Sequence, residues 1–108
     1  MKEIKTFIKP IRLGNVVEAL KENGFDSVTL SECEGTGSYK REDSTPSLKY
    51  HFTDSKIVKL EIVCKDDKQQ EIIQIICKNA STPYPGDGII YVTDVIEAFK
   101  IKTCKSLN

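Results

Sequence analysis

Hydrophobic and polar positions alternate along the start of the chain and then change period. Every second residue from Ile4 to Ile8 falls on one side of residues 2–9, which is the period of a strand. From Leu13, apolar residues recur at intervals of three and four, as on one face of a helix, and Gly24 stands where a helix would end in a left-handed residue. The pattern predicts a strand followed by a helix.

The same plan recurs in the second half. Further strand-like segments cover residues 27–35, 56–64 and 88–95, and a second helix-like segment covers residues 65–80. Asp66 or Asp67 can cap the first turn of that helix. The order β-α-β, β-α-β predicts one α+β domain over residues 1–108, a ferredoxin-like βαββαβ sandwich with its helices on one face of an antiparallel sheet. A short turn of helix and a final edge strand are expected after residue 95.

The opposite face of the predicted sheet is too apolar for a freely solvated surface. It would carry Phe7, Thr29, Ile57, Lys59, Glu61, Val63, Ile89 and Tyr91. Since no further helix remains in the chain to cover this face, another subunit is the economical cover. The pattern therefore predicts a homo-oligomer.

Charge restricts the class of partner. The 108 residues include sixteen Lys plus Arg and sixteen Asp plus Glu, so no net charge steers the protein onto nucleic acid. The first ten residues are charged and alternating, with no apolar stretch long enough for a signal peptide or a membrane span. We therefore expect a soluble, cytoplasmic protein that neither binds nucleic acid nor inserts into a membrane.

The cysteines offer little material for a metal site. The chain has one histidine, His51, and four cysteines without a Cys-x-x-Cys pair: Cys33, Cys64, Cys77 and Cys104. Reduced thiols that behave as small hydrophobic residues are the expected state. Cys104 alone is a candidate for redox or metal chemistry.

A long polar segment separates the two halves. Residues 35–55 are charged and rich in Ser and Thr, although two strands of a compact domain need only a short connection. Such a loop is usually functional or disordered. Three aromatic residues, Tyr39, Tyr50 and Phe52, favour a function over an extended hairpin tip of no consequence.

Five stretches stand out along nearly the whole chain: "MKEIKTFIKPIRLGNVVEALKENGF", Gly35-Thr36-Gly37 at the base of the long loop, "KLEIVCKDD", "GDGIIYVTDV" and "KIKT". In this order and with matching gaps, they resemble the PII nitrogen-regulatory signal-transduction family. The most specific piece is Gly86-Asp87-Gly88 ahead of an apolar strand, combined with the Gly-x-Gly. Either alone would be a weak signal, and Gly-Asp-Gly alone also fits a turn that feeds a strand.

The resemblance implies a homotrimer with a nucleotide site in each cleft between neighbours. Residues 36–55 would be the T-loop, which changes shape with the bound ligand and docks on a target such as a membrane transporter or a metabolic enzyme. Residues 81–88 would be the B-loop, whose backbone amides meet phosphates, because glycines let N–H groups approach an anion closely. Residues 96–108 would supply a tail strand from the adjacent subunit.

The resemblance also implies a set of site residues for an adenine nucleotide (ATP, ADP or AMP), with Mg²⁺ accompanying ATP. The nucleotide would be bound by Phe7, Thr29, Gly35, Thr36, Gly37, Ser38, Glu61, Val63, Thr82, Gly86, Asp87, Gly88, Ile89, Lys100 and Lys102. The partner would be bound by Tyr39, Lys40, Arg41, Tyr50 and Phe52. Lys100 and Lys102, two apart on a strand, would point the same way and reach phosphate from the neighbouring chain, or simply form a solvated edge-strand face. No residue is assigned a catalytic or metal-binding role.

The chain departs from the family at several cationic positions. Ser38 and Tyr39 stand where the family has Arg and Gln, Ile57 and Ile89 where it has Lys, and Lys100 and Lys102 where it has Arg. Lysine keeps the charge of arginine but loses its bidentate fork. Because a triphosphate with Mg²⁺ is held largely by cations, we expect ADP or AMP to compete well with ATP. The 2-oxoglutarate site of the family would lack its Gln and Lys.

Two other function classes stay open. One is a metal-responsive PII-like or cation-tolerance protein associated with heavy-metal efflux, which would use His51, Cys104, Glu42, Asp43 and Asp54. The other is a small hydrolase, but the chain has no His/Ser/Asp set and no Cys/His pair at catalytic spacing. We therefore expect a regulatory protein rather than an enzyme, with slow nucleotide hydrolysis in the clefts left open.

Overall fold

The computed structural model describes residues 1–36 and 55–107. The elements in this part of the chain are β1 (Lys2–Ile8), α1 (Leu13–Glu22), β2 (Thr29–Gly35), β3 (Ser55–Cys64), α2 (Gln69–Ala80), β4 (Gly88–Asp94), β5 (Phe99–Lys100) and β6 (Lys105–Ser106). Short 3₁₀ turns, Pro10–Arg12 and Asp66–Lys68, lead into the two helices. Neither of these helices is long and apolar enough to cross a membrane.

Four strands form one antiparallel sheet in the order β2-β3-β1-β4. The central strand β1 pairs on both sides, so that Thr6 lies opposite Leu60 of β3 and Ile90 of β4. A helix follows β1 and another follows β3, which is the arrangement of a ferredoxin-like α+β fold. The predicted fold class is confirmed at the level of two helices on a four-stranded antiparallel sheet.

The core lies between the two helices and one face of the sheet. Its buried residues are Ile4, Ile8, Val16, Leu20, Leu60, Ile62, Cys64, Ile72, Ile76 and Ala80. They occupy alternate positions of β1 and β3 and the helical stripes that the periodicity predicts. Each large side chain of this kind stabilises the fold by about 1.5–3 kcal/mol through its removal from water.

The end of α1 follows the prediction made for Gly24. This glycine adopts a φ of +87°. Its N–H donates to the carbonyl of Lys21 at 3.0 Å, and the N–H of Phe25 donates to the carbonyl of Leu20 at 2.8 Å. These two bonds form a Schellman motif, which satisfies carbonyls that a helix end otherwise leaves unpaired. Phe25 then packs against the core.

The predicted cap at the start of the second helix is wrong. Asp66 and Asp67 lie in the 3₁₀ turn before α2. Within the described residues, neither the start of this turn nor the start of α2 has a side-chain capping hydrogen bond. The Oδ1 atom of Asp66 instead lies 3.0 Å from the amino group of Met1. The chain enters the helix through a tighter turn, and this turn directs the aspartate to the N-terminus of the neighbouring strand.

The C-terminal segment also differs from the prediction. Instead of a helical turn and one edge strand, β5 and β6 pair with each other as a hairpin, with Lys100 opposite Lys105. The N–H of Cys104 donates to the carbonyl of Lys100 at 2.7 Å, and Cys104 has a left-handed φ of +52°. Lys102 therefore lies in the turn of the hairpin. Because the chain reverses there, Lys100 and Lys102 do not share a strand.

Candidate functional site

The face of the sheet away from the helices carries the predicted row of mixed residues. The register aligns Phe7 with Lys59 and Ile89, Thr29 with Glu61, and Tyr91 with Lys5, and it places all eight predicted residues on this side. Tyr91 and Ile89 are each 51% exposed and Val63 is 47% exposed. Phe7 and Tyr91 meet edge to face with ring centroids 6.1 Å apart. This outer face therefore combines apolar surface with an aromatic pair.

Charged side chains on the outer face neutralise one another along the strands. The Nζ atom of Lys59 lies 3.2 Å from Oε1 of Glu61, two residues along β3. Lys5 lies 3.7 Å from Glu3 in the same way on β1. Partly exposed pairs of this kind contribute little to stability. Glu61, which the resemblance includes among the nucleotide residues, is thus paired with a lysine of its own strand.

The loop between α2 and β4 is closed by the side chain of Asp87. The hydroxyl of Thr82 donates to Oδ1 of Asp87 at 2.5 Å, and the N–H of Thr82 donates to Oδ2 at 2.8 Å. The N–H of Tyr84 donates to the Thr82 hydroxyl oxygen at 3.2 Å. Both oxygens of the carboxylate are therefore turned back to the start of the loop.

A buried lysine outside the predicted set of site residues completes this arrangement. The Nζ atom of Lys9 lies 3.2 Å from Oδ1 of Asp87 and donates to Oγ1 of Thr82 at 3.2 Å. The Lys9 side chain is 8% exposed. Burial alone would raise the pKa of the Asp87 carboxyl group, but the hydrogen bonds from Thr82 and the contact with Lys9 together lower this pKa below the usual value for aspartate.

A signal for Lys9 is present in the sequence. If the first and fourth strands of the predicted fold pair in antiparallel fashion, the end of one lies beside the start of the other. In the structure Ile8 is indeed the partner of Gly88. The residue after Ile8 then lies beside the residue before Gly88, which brings Lys9 to Asp87. Predicting the contact between Lys9 and Asp87 requires the order of the strands in the sheet, which the residue pattern within one segment does not supply.

Gly88 is required by the contact between two backbones. It has a φ of +125°, and a Cβ atom on it would lie 1.8 Å from the carbonyl oxygen of Phe7. Gly86 also has a left-handed φ, +86°. The spacing at Gly35 is of a different kind, since a Cβ there would meet the end of the flexible Ile57 side chain at 2.6 Å. Gly88 thus joins β1 and β4 closely at the end of the loop.

Two groups of the predicted nucleotide residues fall at opposite edges of the sheet, with Phe7 on β1 and Glu61 and Val63 on β3 between them. Thr29, Gly35 and Thr36 lie on or directly after β2, whereas Gly86 to Ile89 lie at the start of β4. Because β3 and β1 separate these two edge strands, the edges are about 14 Å apart at the spacing of neighbouring strands. One copy of the sheet therefore does not bring the two groups into direct contact. Lys100 and Lys102 lie apart from both groups in sequence, in the exposed hairpin.

An apolar cleft of about 480 Å³ opens beside β4 on the side of the helices. Ile73, Ile76 and Cys77 of α2 form one wall, and Ile90 and Val92 of β4 form the other. The predicted nucleotide residues Asp87, Gly88 and Ile89 also line this cleft, whereas Phe7, Glu61 and Val63 lie on the other face of the sheet.

Several predictions fall on residues that the structure does not describe. The predicted nucleotide and partner residues outside the described residues are Gly37, Ser38, Tyr39, Lys40, Arg41, Tyr50 and Phe52. The candidates for metal response that also lie outside them are His51, Glu42, Asp43 and Asp54. Within residues 1–36 and 55–107 no group of three His, Cys, Asp or Glu side chains could hold a metal ion. Of the cysteines, Cys64 is buried and Cys33 half-buried, whereas Cys77 and Cys104 are exposed. The metal-response hypothesis stays untested.

Comparison with known proteins supports the resemblance across the chain. A family model described as nitrogen regulatory protein P-II matches residues 1–105. The nitrogen regulatory protein P-II of Bradyrhizobium diazoefficiens is 37% identical over 107 residues, which are 98% of this chain and 96% of that protein. The nitrogen regulatory protein P-II 1 of Escherichia coli is 36% identical over 104 residues, 95% of this chain and 93% of its own length. This chain therefore belongs to the P-II family of nitrogen regulatory proteins.

Proposed function

We propose that the protein is a non-catalytic sensor of adenine nucleotides within the P-II family. It binds ATP, ADP or AMP in clefts between the subunits of a homotrimer, and it regulates a partner through the segment 36–55. The partner is a membrane transporter or a metabolic enzyme. Nucleotide and partner would influence each other's affinity reciprocally, because both select among conformations of the same segment.

The observation that carries this proposal is the division of the candidate residues between two sheet edges. Thr29 and Gly35 belong to the β2 edge, and Gly86 and Gly88 belong to the β4 edge, about 14 Å away by strand spacing. If the β2 edge of one copy faces the β4 edge of the next, the two groups line one cleft. A closed ring of copies repeats this contact without leaving an unpaired edge.

The exposed apolar surface supports the same assembly. Tyr91, Ile89 and Val63 are about half exposed on the outer face, and Phe99 and Ile101 are exposed in the C-terminal hairpin. Apolar patches of this kind usually mark contacts with another protein surface. Their exposure fits a nucleotide site that copies of this chain build together.

The charges near the loop favour a nucleotide with few phosphates. The exposed residue that follows Gly88 is Ile89, which offers no charge to a phosphate. Lys9, the cation that lies nearest to Asp87 among the described contacts, is already paired with that carboxylate. Adenine and ribose depend on backbone and apolar contacts, so they are held without these cations. We therefore expect ADP to bind at least as tightly as ATP.

Calorimetric titration tests the proposal. ADP, ATP and AMP are titrated separately into the purified protein, with Zn²⁺ and 2-oxoglutarate as further titrants. We expect saturable binding of ADP with one site per chain, and no increase in ADP affinity on addition of 2-oxoglutarate. No heat with any adenine nucleotide would contradict the proposal. Tight Zn²⁺ binding in its place would support the metal-response class, and ATP binding that requires 2-oxoglutarate would show that the site senses both.

Ile89→Lys is expected to shift the preference from ADP towards ATP. The side chain is 51% exposed, so a lysine can be accommodated without loss of core packing. One charge-assisted hydrogen bond to a phosphate corresponds to a gain in ATP affinity of about tenfold or more. Ile96→Lys places the same charge at another exposed isoleucine and serves as the control. An equal gain in both variants would show that the effect comes from net charge alone.

A further inference from the structure

Lys9, Thr82 and Asp87 form a closed set of contacts, which we call the latch. We propose that Lys9 is a positioning residue for the phosphate-binding loop, residues 81–88. This proposal rests on the proposed function. The side chains of Thr82 and Asp87, in this assignment, shape the loop from within and do not contact the nucleotide. The latch sets the positions of the backbone N–H groups around Gly86 and cancels the negative charge that Asp87 would otherwise bring to an anion site.

The hydrogen bonds leave little of the carboxylate free for a ligand. Oδ1 of Asp87 accepts from the Thr82 hydroxyl at 2.5 Å and lies 3.2 Å from Nζ of Lys9. Oδ2 accepts from the Thr82 N–H at 2.8 Å. The same N–H is thereby used inside the loop and does not point to a phosphate. The loop from Thr82 to Asp87 is thus closed into a ring by contacts of the Asp87 side chain.

The charge of the loop makes the lysine necessary. Successive backbone N–H groups attract a phosphate, but a carboxylate in the same loop would repel it. The Lys9 side chain is 8% exposed, against 27% for Lys59 and 38% for Lys5 in the outer-face pairs, so water screens the Lys9–Asp87 pair less. Loss of the lysine would leave an uncompensated carboxylate beside the nucleotide.

Contacts of the segment around Lys9 reach both ends of the loop between α2 and β4. Gly88 lies opposite Ile8 in the sheet, so the end of β1 is held beside the start of β4. Three residues beyond Lys9, Nε of Arg12 donates to the carbonyl of Asn79 near the end of α2 at 2.8 Å. The segment 9–12 therefore contacts the end of the helix before the loop as well as Thr82 and Asp87 within it. A change in the position of this segment would therefore move the loop as well.

The first readout needs no nucleotide. NMR detection of the Asp87 side-chain carbonyl carbon during a pH titration should show a higher pKa in Lys9→Met than in the wild-type protein, with a matching shift of the Thr82 amide proton. Lys2→Met is the matched control, since Lys2 pairs with Asp94 between the same two strands at the exposed, far end. An unchanged Asp87 titration in Lys9→Met would overturn the latch. This result is independent of whether the protein binds nucleotides.

The second readout measures ADP affinity in the same variants. We expect Lys9→Met to weaken ADP binding by about tenfold or more, Lys2→Met to change it less than about twofold, and Lys9→Arg to retain most of it. The double variant Lys9→Met with Asp87→Asn should recover part of the loss, because both charges are removed together. If the double variant binds more weakly than either single variant, Lys9 does not act by cancelling the charge of Asp87. If Lys9→Met does not fold, Lys9→Gln removes the same charge with a polar side chain and carries the same test.

Absence of ADP binding by the wild-type protein would refute the proposed function and the role of the latch in it. The NMR titration would then still decide whether Lys9 controls the conformation and charge of the loop. Normal ADP binding by Lys9→Met, in a protein whose Asp87 titration has shifted, would show that the latch exists but does not position the nucleotide site.

Discussion

Gly88→Ala is expected to destabilise the protein by about 3 kcal/mol or more, which is among the largest effects that a single methyl group can have. The added Cβ would lie 1.8 Å from the carbonyl oxygen and 2.9 Å from the carbonyl carbon of Phe7. The atoms in its way belong to the backbone of the central strand, so no side-chain rotation relieves the overlap. The φ of +125° adds conformational strain for any residue with a side chain.

Two other glycines separate the contributions to this effect. Gly24 has a φ of +87° but open space where an alanine methyl group would lie, so Gly24→Ala should cost only the conformational strain, about 1–2 kcal/mol. Gly14 is the second residue of α1 and has open space and no left-handed φ, so Gly14→Ala should stabilise the helix by at most about 0.5–1 kcal/mol. Equilibrium unfolding in urea at one protein concentration measures all three. A cost for Gly88→Ala no larger than that for Gly24→Ala would contradict the close approach of β1 and β4.

Leu60→Ala should have the second large effect, a loss of about 3 kcal/mol within the usual range for a buried leucine. Leu60 is 0% exposed and lies at the middle of β3, between Thr6 of β1 and Leu30 of β2. Leu60 belongs to the core cluster that includes residues of both helices, so the cavity left by the substitution has little means of closing. The cost includes the lost burial and the empty volume.

Leu30→Ala is the matched control for Leu60→Ala. Leu30 is the direct cross-strand partner of Leu60 but is 45% exposed at the edge of the sheet, so its removal should cost less than about 1 kcal/mol. The two variants are compared by the midpoint and slope of urea unfolding. If the two losses were equal, the core would not be centred on β3 as the structure places it.

The sequence predicted those parts of the fold that depend on local pattern. Alternation from Ile4 to Ile8 identifies a strand because a strand buries every second residue, and the position of Gly24 identifies a helix end because few other residues adopt a left-handed φ. The same alternation places Phe7 on the opposite side of β1 from the core. Each of these features can be recognised from neighbours within a few residues.

The parts that failed depend on residues far apart in the chain. Asp66 looked like a helix cap, but Met1 at the start of the neighbouring strand contacts it instead. Lys102 looked like a strand residue, but the pairing of Lys100 with Lys105 makes it part of a turn. Lys9 was missed for the same reason, since its contact with Asp87 spans most of the sequence. The residue pattern within one segment does not predict contacts with distant segments.

The candidate site shows the same division. Motif spacing selected Gly88, and the structure adds that this glycine is needed for contact with Phe7 whether or not a phosphate is bound. The resemblance also gave Thr82 and Asp87 as nucleotide residues, and in the structure the Asp87 carboxylate accepts hydrogen bonds from the hydroxyl and N–H of Thr82. A residue can thus belong to a ligand motif because it shapes the loop.

Native mass spectrometry in the presence of ADP is the sharpest test of a nucleotide site built between subunits, because it counts subunits and nucleotides in one particle. We predict a species of three chains, each of 12.1 kDa, that takes up at most three ADP molecules and loses them together with its subunit contacts. A single chain that binds ADP with full affinity would contradict sites built between subunits. A trimer that remains free of nucleotide at saturating ADP would contradict the assignment of those clefts to adenine nucleotides.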